Sequence, residues 1–177
     1  MNPLEIFNIY YPPGSAAREI LLVHSESVAG KALEIARRAS GQPDLDFVYE
    51  SAILHDIGIY LTHAPKIGCF GEKPYICHGH LGGKLLEKLG YHRHALVAER
   101  HIGTGLTALD VREQRLPLPE TDMTPQTLEE KIVAFADKFF TKSNPDKELA
   151  MDEARKLISR YGEEKLAVFD SWVKLFG

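Results

Sequence analysis

Residues 52–58 read Ala52-Ile-Leu-His-Asp-Ile-Gly58 and place a histidine and an aspartate directly after three apolar residues. These apolar residues continue a stripe that begins with Phe47 and Val48, so a helix is expected near 46–58 with its apolar face inward. His55 and Asp56 are then carried into the interior, where an unpaired charge is costly. The pair therefore needs a buried partner of opposite charge or a metal ion.

Asp137 has the same setting at the end of a later helix. It follows five apolar residues in Ile132-Val-Ala-Phe-Ala136, within a helix expected over about 127–142. The start of that helix is well marked, because Thr127-Leu-Glu-Glu130 matches a capping box and Pro125 suits a first turn. Asp137 is thus a second carboxylate that requires a cation inside the protein.

His24 lies on the apolar stripe of a third helix, expected over 16–39. Ile20 precedes it and Val28 follows it at four-residue spacing, with Ser15 as the N-cap and Ser40-Gly41 as the stop. A lone inward histidine is more often a hydrogen-bonded core residue than a ligand. Beside two buried carboxylates and a second histidine it fits a metal site, because imidazole nitrogen and carboxylate oxygen bind iron, manganese, nickel, cobalt or zinc.

Along the chain, a histidine on one helix (His24) is followed by a His-Asp pair on the next (His55-Asp56) and by a late aspartate (Asp137). This order resembles the pattern of the HD-domain metal-dependent phosphohydrolases of the His-Asp-Ile-Gly type. The resemblance extends to His78, which opens His78-Gly-His-Leu-Gly-Gly83, and to His101 in Glu99-Arg-His-Ile-Gly-Thr104. It implies that four residues hold one divalent ion and that Asp56 bridges to a second ion held by His78 and His101. The four are His24, His55, Asp56 and Asp137. Two metal ions held in this way lower the pKa of a water molecule that they share, so that hydroxide can attack phosphorus. The resemblance therefore also implies a catalytic role for Asp56.

His78 is preferred over its neighbour His80 because only His78 has a glycine four residues later, as in the family. The other histidines of the eight in the chain, His63, His92 and His94, are expected in loops or at the surface. His94 shares a helix face with His101 and could orient it.

Three residues are candidates for binding an anionic substrate. Arg100 precedes His101, and Lys131 occurs in a Leu-Glu-Glu-Lys-Ile sequence that recurs in relatives. Thr104 stands between Gly103 and Gly105, whose flexible backbone could bring N–H groups to an anion. Plain alternatives exist: Arg100 and Lys131 suit solvated helix positions, and Gly-Thr-Gly suits a helix end.

The chain is expected to be a single all-α domain over 1–177, an HD-domain-like helical bundle with a buried metal site. The metal-site core covers about 16–142, with further helices near 78–90 and 92–102, and the segment of about 146–176 divides into two helices around Gly162. No segment alternates apolar and polar residues cleanly, so no strand is expected. The long connections 59–77 and 103–126 are typical of functional or mobile loops.

Composition limits the class of protein and partner. The 177 residues are 44% hydrophobic and 26% charged with a net charge of −4, which suits an average globular domain. With no apolar run that could span a bilayer, no signal-like start and only Cys69 and Cys77, a cytoplasmic protein without a membrane partner is expected. The lack of a basic run argues against long nucleic acid, whereas a small phosphorylated substrate such as a nucleotide needs only a local positive site. The oligomeric state stays open.

Three function classes follow from the resemblance. The first is hydrolysis of a phosphomonoester or phosphodiester of a nucleotide or other small molecule. HD-GYP phosphodiesterases are disfavoured because the chain has no Gly-Tyr-Pro, whereas hydrolases of symmetrical diadenosine tetraphosphate share Glu130-Lys131 and Ala136-Asp137. The sequence Arg100-His-Ile-Gly-Thr-Gly105 is most similar to small archaeal and bacterial HD proteins of unestablished substrate. The second class is an HD-fold di-iron oxygenase, and the third is a non-catalytic metal- or nucleotide-binding module.

Overall fold

Helices dominate the computed structural model, which describes residues 1–177. The prediction of an all-α fold is confirmed, except for a two-residue antiparallel ladder of β1 (His63–Ala64) and β2 (Cys69–Phe70) that sequence alternation did not indicate. No helix combines the length and apolarity needed to cross a bilayer. The helices are α1 (Pro3–Tyr10), α2 (Ala16–Arg38), α3 (Leu45–Leu54), α4 (His78–Lys88), α5 (His92–Arg100), α6 (Ala108–Glu113), α7 (Leu128–Asp137), α8 (Met151–Ser159) and α9 (Glu163–Phe176).

Local capping explains where the main helices begin. The Ser15 hydroxyl accepts a hydrogen bond from the Arg18 N–H at 3.3 Å, as the sequence predicts for α2. The Thr127 hydroxyl does the same for the Glu130 N–H at 3.2 Å at the start of α7. The reciprocal half of the predicted capping box is absent, because the Glu130 carboxylate accepts from the Gln126 N–H instead, at 2.7 Å.

Two helices end earlier than their apolar patterns suggest. The predicted helix 46–58 ends at Leu54 and passes into a 3₁₀ turn over Ile57–Leu61, and the predicted helix 127–142 ends at Asp137. Both runs stay buried beyond the helix, so periodicity alone could not mark their ends. Helices α1 and α6 are additions that the sequence pattern did not predict, whereas the two helices around Gly162 are confirmed.

Glycine contacts bring α4 against its neighbours at backbone distance. A Cβ placed on Gly58 would lie 2.2 Å from the carbonyl oxygen of His78 and 2.4 Å from the backbone nitrogen of Gly82. A Cβ on Gly79 would lie 2.8 Å from the carbonyl oxygen of Ala98 in α5. Only glycine permits such approaches, so these positions set the depth at which α4 carries His78 into the molecule.

The core lies between α2, α3 and α7, and α9 closes it from the other side of α7. Phe135 of α7 is central to this contact, with ring centroids 5.3 Å from Phe169 and 5.5 Å from Phe176. Phe139 adds an edge-to-face contact with Phe135 at 5.1 Å. Aromatic pairs of this kind stabilise beyond simple burial, so the C-terminal helices share one hydrophobic core with the helices around the histidines.

Candidate metal centre

Six side chains from separate parts of the chain converge: His24 comes from the middle of α2, and the other five lie at or next to the ends of other helices. All are buried, and their ligand atoms form two groups that share Asp56. The first group is His24, His55, Asp56 and Asp137, and the second is Asp56, His78 and His101. The structure thus brings together all six residues that the sequence and the family resemblance select.

Asp56 lies between the two groups, with one carboxylate oxygen towards each. Its Oδ2 is 3.3 Å from Nε2 of His24 and 3.2 Å from Nε2 of His55. Its Oδ1 is 3.3 Å from Nε2 of His78 and 3.5 Å from Nε2 of His101. A carboxylate in this orientation can give one oxygen to each of two cations.

Asp137 completes the first group from the end of α7. Its Oδ1 lies 3.1 Å from Nε2 of His24 and 3.4 Å from Nε2 of His55. Nε2 of His24 and Nε2 of His55 therefore each face the carboxylates of both Asp56 and Asp137. The separation of α2, α3 and α7 along the chain means that only their packing creates this group.

Backbone carbonyls fix the orientation of three histidine rings. Nδ1 donates to the carbonyl oxygen three residues earlier in each case, at 2.6 Å for His55, 2.7 Å for His78 and 2.7 Å for His101. Since a carbonyl can only accept, Nδ1 carries a proton in each ring, and Nε2 is the nitrogen that faces the centre. Ligating histidines are commonly held in this way by their second nitrogen.

Burial and charge have opposing effects on the ionisable groups. Burial lowers the pKa of His101 to about 3, so this ring is neutral at pH 7. Burial also acts to lower the pKa of His55, but the charges of Asp56 and Asp137 outweigh it and raise that pKa to about 9. Burial opposes ionisation of the two carboxyls, yet their cationic neighbours hold both pKa values well below the usual range.

The donor set suits a divalent metal ion. Nε2 of His55 and Oδ1 of Asp56 are buried and have no hydrogen bond of ordinary geometry. Buried polar atoms left without partners are costly, and a dication would satisfy several of them at once. Nitrogen and oxygen donors without thiolate favour iron, manganese, cobalt, nickel or zinc. His24, His55, Asp56 and Asp137 can therefore hold one ion, and the second group has donors for another.

Two lysines beside the centre were missed by the sequence analysis. Nζ of Lys138 donates to Oδ2 of Asp137 at 2.7 Å and to the carbonyl oxygen of His101 at 3.2 Å. Nζ of Lys142 lies 2.7 Å from Oδ2 of Asp56 and 3.7 Å from Oδ1 of Asp137. Adjacency to Asp137 was a signal for Lys138. A continuous helix to 142 would have turned Lys142 roughly 140° away from Asp137, so only the early end of α7 lets it reach the site.

A cavity of about 340 Å³ opens directly onto the centre. Asp137 and His78 lie in its wall, and half of the lining residues are hydrophobic. Three lysines, Lys138, Lys142 and Lys165, contribute its positive charge. The volume is at the small end of the range of about 300–1,000 Å³ that is typical of small-molecule sites.

The three predicted substrate-binding residues lie in different places. Thr104 lines the cavity. Lys131 lines a separate hollow, which shares Thr104 and Lys165 with the cavity but is lined by none of the six converging residues. Arg100 uses its guanidinium for an ion pair with Glu130, at 3.0 Å, and is not in the wall of the cavity.

The remaining histidines take other partners. Nδ1 of His80 pairs with Glu99 at 2.8 Å, away from the centre, so the structure places His78 and not His80 among the converging residues. His94 pairs with Glu50 at 3.0 Å between α3 and α5 and does not contact His101. His92 and His63 are exposed, as expected.

A family model described as HD domain matches residues 21–141, which include all six converging side chains. The chain belongs to the HD-domain family. This family is generally one of metal-dependent hydrolases, so the HD fold and a buried histidine and aspartate cluster agree with each other.

Relatives of the HD chain add no established substrate. An uncharacterised protein of Methanocaldococcus jannaschii is 39% identical over 123 residues, which are 67% of this chain and 65% of that protein. A tRNA (cytidine(56)-2'-O)-methyltransferase of Thermoplasma volcanium is 32% identical over 70% of this chain and 32% of its own length. One of Picrophilus torridus is 36% identical over 68% of this chain and 31% of its own. The chain thus spans less than two thirds of each of these relatives, and no solved structure matches it.

Proposed function

We propose that this HD protein is a phosphohydrolase with two divalent metal ions that cleaves a phosphate ester of a small molecule. The orientation of Asp56 carries the proposal, since each of its oxygens faces a different group of donors. When bound, the two ions supply a nucleophile from water at neutral pH and neutralise charge on the phosphate.

The residues of the chain have separate parts in this proposal. His24, His55 and Asp137 would hold one ion, His78 and His101 the other, and Asp56 both. The carbonyl bonds to Nδ1 keep His55, His78 and His101 from turning away. Burial of the whole cluster keeps the interactions strong, because electrostatic attraction weakens as water screens it.

The cavity supports a small anionic substrate. Its lysines supply positive charge next to the centre, and its apolar wall, which includes Phe140 and Leu116, suits an organic group attached to phosphate. A volume of about 340 Å³ accommodates a molecule of mononucleotide size and not a folded polymer. A nucleotide is therefore one member of the substrate class that we propose.

Two relatives carry the name of a tRNA methyltransferase, and this bears only on the choice of substrates. Their names describe proteins of which this chain matches about a third. The converging side chains are donors of the kind that bind divalent metal ions, and such ions support hydrolysis of phosphate esters. We therefore include nucleoside 2'- and 3'-phosphates beside the 5'-phosphates in the proposed substrate panel.

Anaerobic purification, elemental analysis and a screen of phosphate esters on the same sample test the proposal. We expect about two transition-metal ions per chain and release of inorganic phosphate, or of a monoester from a diester, under argon. Dioxygen uptake by the iron-loaded protein without any ester cleavage would instead assign it to the oxygenases of this fold.

His78→Ala and His80→Ala form a matched pair for this screen. The two residues are two positions apart on α4, but only His78 faces Asp56. We expect His78→Ala to lose one ion and most of the turnover, about 100-fold or more, since loss of a residue that only supports a ligand already costs about 10–100-fold. His80→Ala should keep both, and equal losses in the two variants would contradict the assignment of the second group.

A further inference from the structure

Lys142 has an ammonium group that competes for the same carboxylate oxygens as the metal ions. Its Nζ lies 2.7 Å from Oδ2 of Asp56, the oxygen that also faces His24 and His55. It lies 3.7 Å from Oδ1 of Asp137, which faces the same two rings. An ion bound at the first group would therefore repel this ammonium across a few ångströms.

Lys142 is also the cation that is best placed to turn towards a ligand. Lys138 is held by two hydrogen bonds, one of them to the fixed carbonyl of His101. Lys165 is held by Asp110 and by the carbonyl oxygen of Gly105. Lys142 has no backbone partner: its contacts are the two carboxylates and the Tyr75 hydroxyl, which also lines the cavity, and 17% of its side chain stays accessible.

The position of Lys142 on the chain allows such a turn. It follows α7 in a loop where Thr141 and Asn144 form an isolated backbone bridge. The backbone is thus anchored, while the four-carbon side chain has several rotatable bonds. A rotation of the side chain alone can transfer the ammonium from Asp56 to an anion in the cavity.

We propose that Lys142 couples metal binding to phosphate binding by exchanging Asp56 for the phosphate group of the substrate. The exchange works in both directions. Bound metal ions would occupy the oxygens of Asp56 and free the Lys142 ammonium to bind an anion. An anion in the cavity would bind the ammonium and free Asp56 to bind the metal ions. Reciprocity of linked binding requires that each ligand raise the affinity of the other by the same factor. The inference rests on the proposed metal centre and extends it to the binding of the substrate.

The test is a titration of the metal-stripped full chain with Mn²⁺, followed by the electron paramagnetic resonance signal of free Mn²⁺. Each titration is made with and without inorganic phosphate at constant ionic strength. The variants are Lys142→Met and Lys142→Gln, which remove the charge, and Lys142→Arg, which keeps it. Lys147→Met is the matched control, because Lys147 is exposed in the same loop and has no side-chain ion pair. Circular dichroism establishes that each variant is folded.

For the wild type we expect phosphate to raise the Mn²⁺ affinity by about 5-fold or more, the lower end of typical coupling. Lys142→Met and Lys142→Gln should bind Mn²⁺ more tightly than the wild type without phosphate, and phosphate should add little. Lys147→Met and Lys142→Arg should behave as the wild type does.

Two results would overturn the coupling while leaving the metal centre intact. In one, the wild type binds Mn²⁺ but phosphate has no effect on its affinity. In the other, the neutral variants keep the full phosphate effect or bind Mn²⁺ more weakly than the wild type. If the wild type and all variants bind no Mn²⁺, nor any other divalent ion tested, the proposed metal centre itself is wrong, and the coupling falls with it.

Discussion

Replacement of Gly58 by alanine should disable the centre without changing any donor. The new Cβ would lie 2.2 Å from the carbonyl oxygen of His78, whereas ordinary contacts begin at 3.4 Å. It would also lie 2.4 Å from the backbone nitrogen of Gly82, so no side-chain rotation relieves the clash. The start of α4 must then move away from the His55-Asp56 turn by about 1 Å.

The size of this displacement sets the expected losses. His78 Nε2 is 3.3 Å from Asp56 Oδ1 and 3.2 Å from His101 Nε2, and ligand distances in metal sites tolerate about 0.2 Å. A movement of about 1 Å therefore breaks the second group. Overpacking of this kind costs typically about 1–3 kcal/mol, which lowers the melting temperature of a protein of this size by about 3–10 °C.

Elemental analysis, thermal melting and ester hydrolysis measure the outcome. We expect Gly58→Ala to keep at most the ion of the first group and to lose most of its turnover. Gly30→Ala is the matched control: Gly30 is exposed on α2, and a Cβ there meets nothing within 4 Å. It should be neutral or stabilise the protein by up to about 1 kcal/mol. An unchanged metal content and melting temperature in Gly58→Ala would refute the link between this glycine and the position of His78.

Three further changes address other parts of the structure. Asp56→Asn removes the charge shared by both groups, so elemental analysis should find neither ion, whereas the exposed Asp46→Asn should keep both. Tyr11→Phe removes a buried hydroxyl that contacts the carbonyl oxygens of Asp56 and Ile57 at 3.1 Å. Urea unfolding should show that the free energy of unfolding falls by about 1 kcal/mol, and metal binding should weaken. The control variant Tyr10→Phe should show neither effect. Burial opposes ionisation of Asp110, but Lys165 and Thr107 lower its pKa below 3.8. The stability that it contributes is therefore present above that value and lost as the pH falls through the lower pKa of the folded state. The difference in unfolding free energy between wild type and Asp110→Asn should shrink on acidification, and a constant difference would contradict this account.

The sequence alone was informative wherever a local pattern has one physical outcome. A carboxylate after an apolar run, as at Asp56 and Asp137, must be buried and must find a cation. The four-residue spacing of Ile20, His24 and Val28 predicted that His24 points inward. The glycine four residues after His78 favoured His78 over His80 as the ligand. That glycine is Gly82, which meets Gly58 in the structure, so the spacing reflects the close contact of α4 with the turn.

Other features depended on contacts between distant residues. The sequence suggested that Arg100 could bind phosphate, but its guanidinium forms an ion pair with the Glu130 carboxylate. Lys131 lines a different hollow. The sequence predicted that Lys131 lies on α7, but it did not show which other elements pack around that part of the helix. The end of α7 at Asp137, within a run that stays apolar, could not be seen from periodicity.

The amino-acid sequence by itself therefore indicated that His24, His55, Asp56 and Asp137 are buried and need a cation, because burial of a polar group follows from the apolar residues around it on its own helix. His78 and His101 were added by the resemblance to the HD-domain pattern. The tertiary structure decided the rest: that Asp56 divides its oxygens between two groups, that a lysine from beyond α7 reaches it, and that a cavity opens beside them. Distances between atoms on different helices arise from packing, and no local pattern along the chain encodes them.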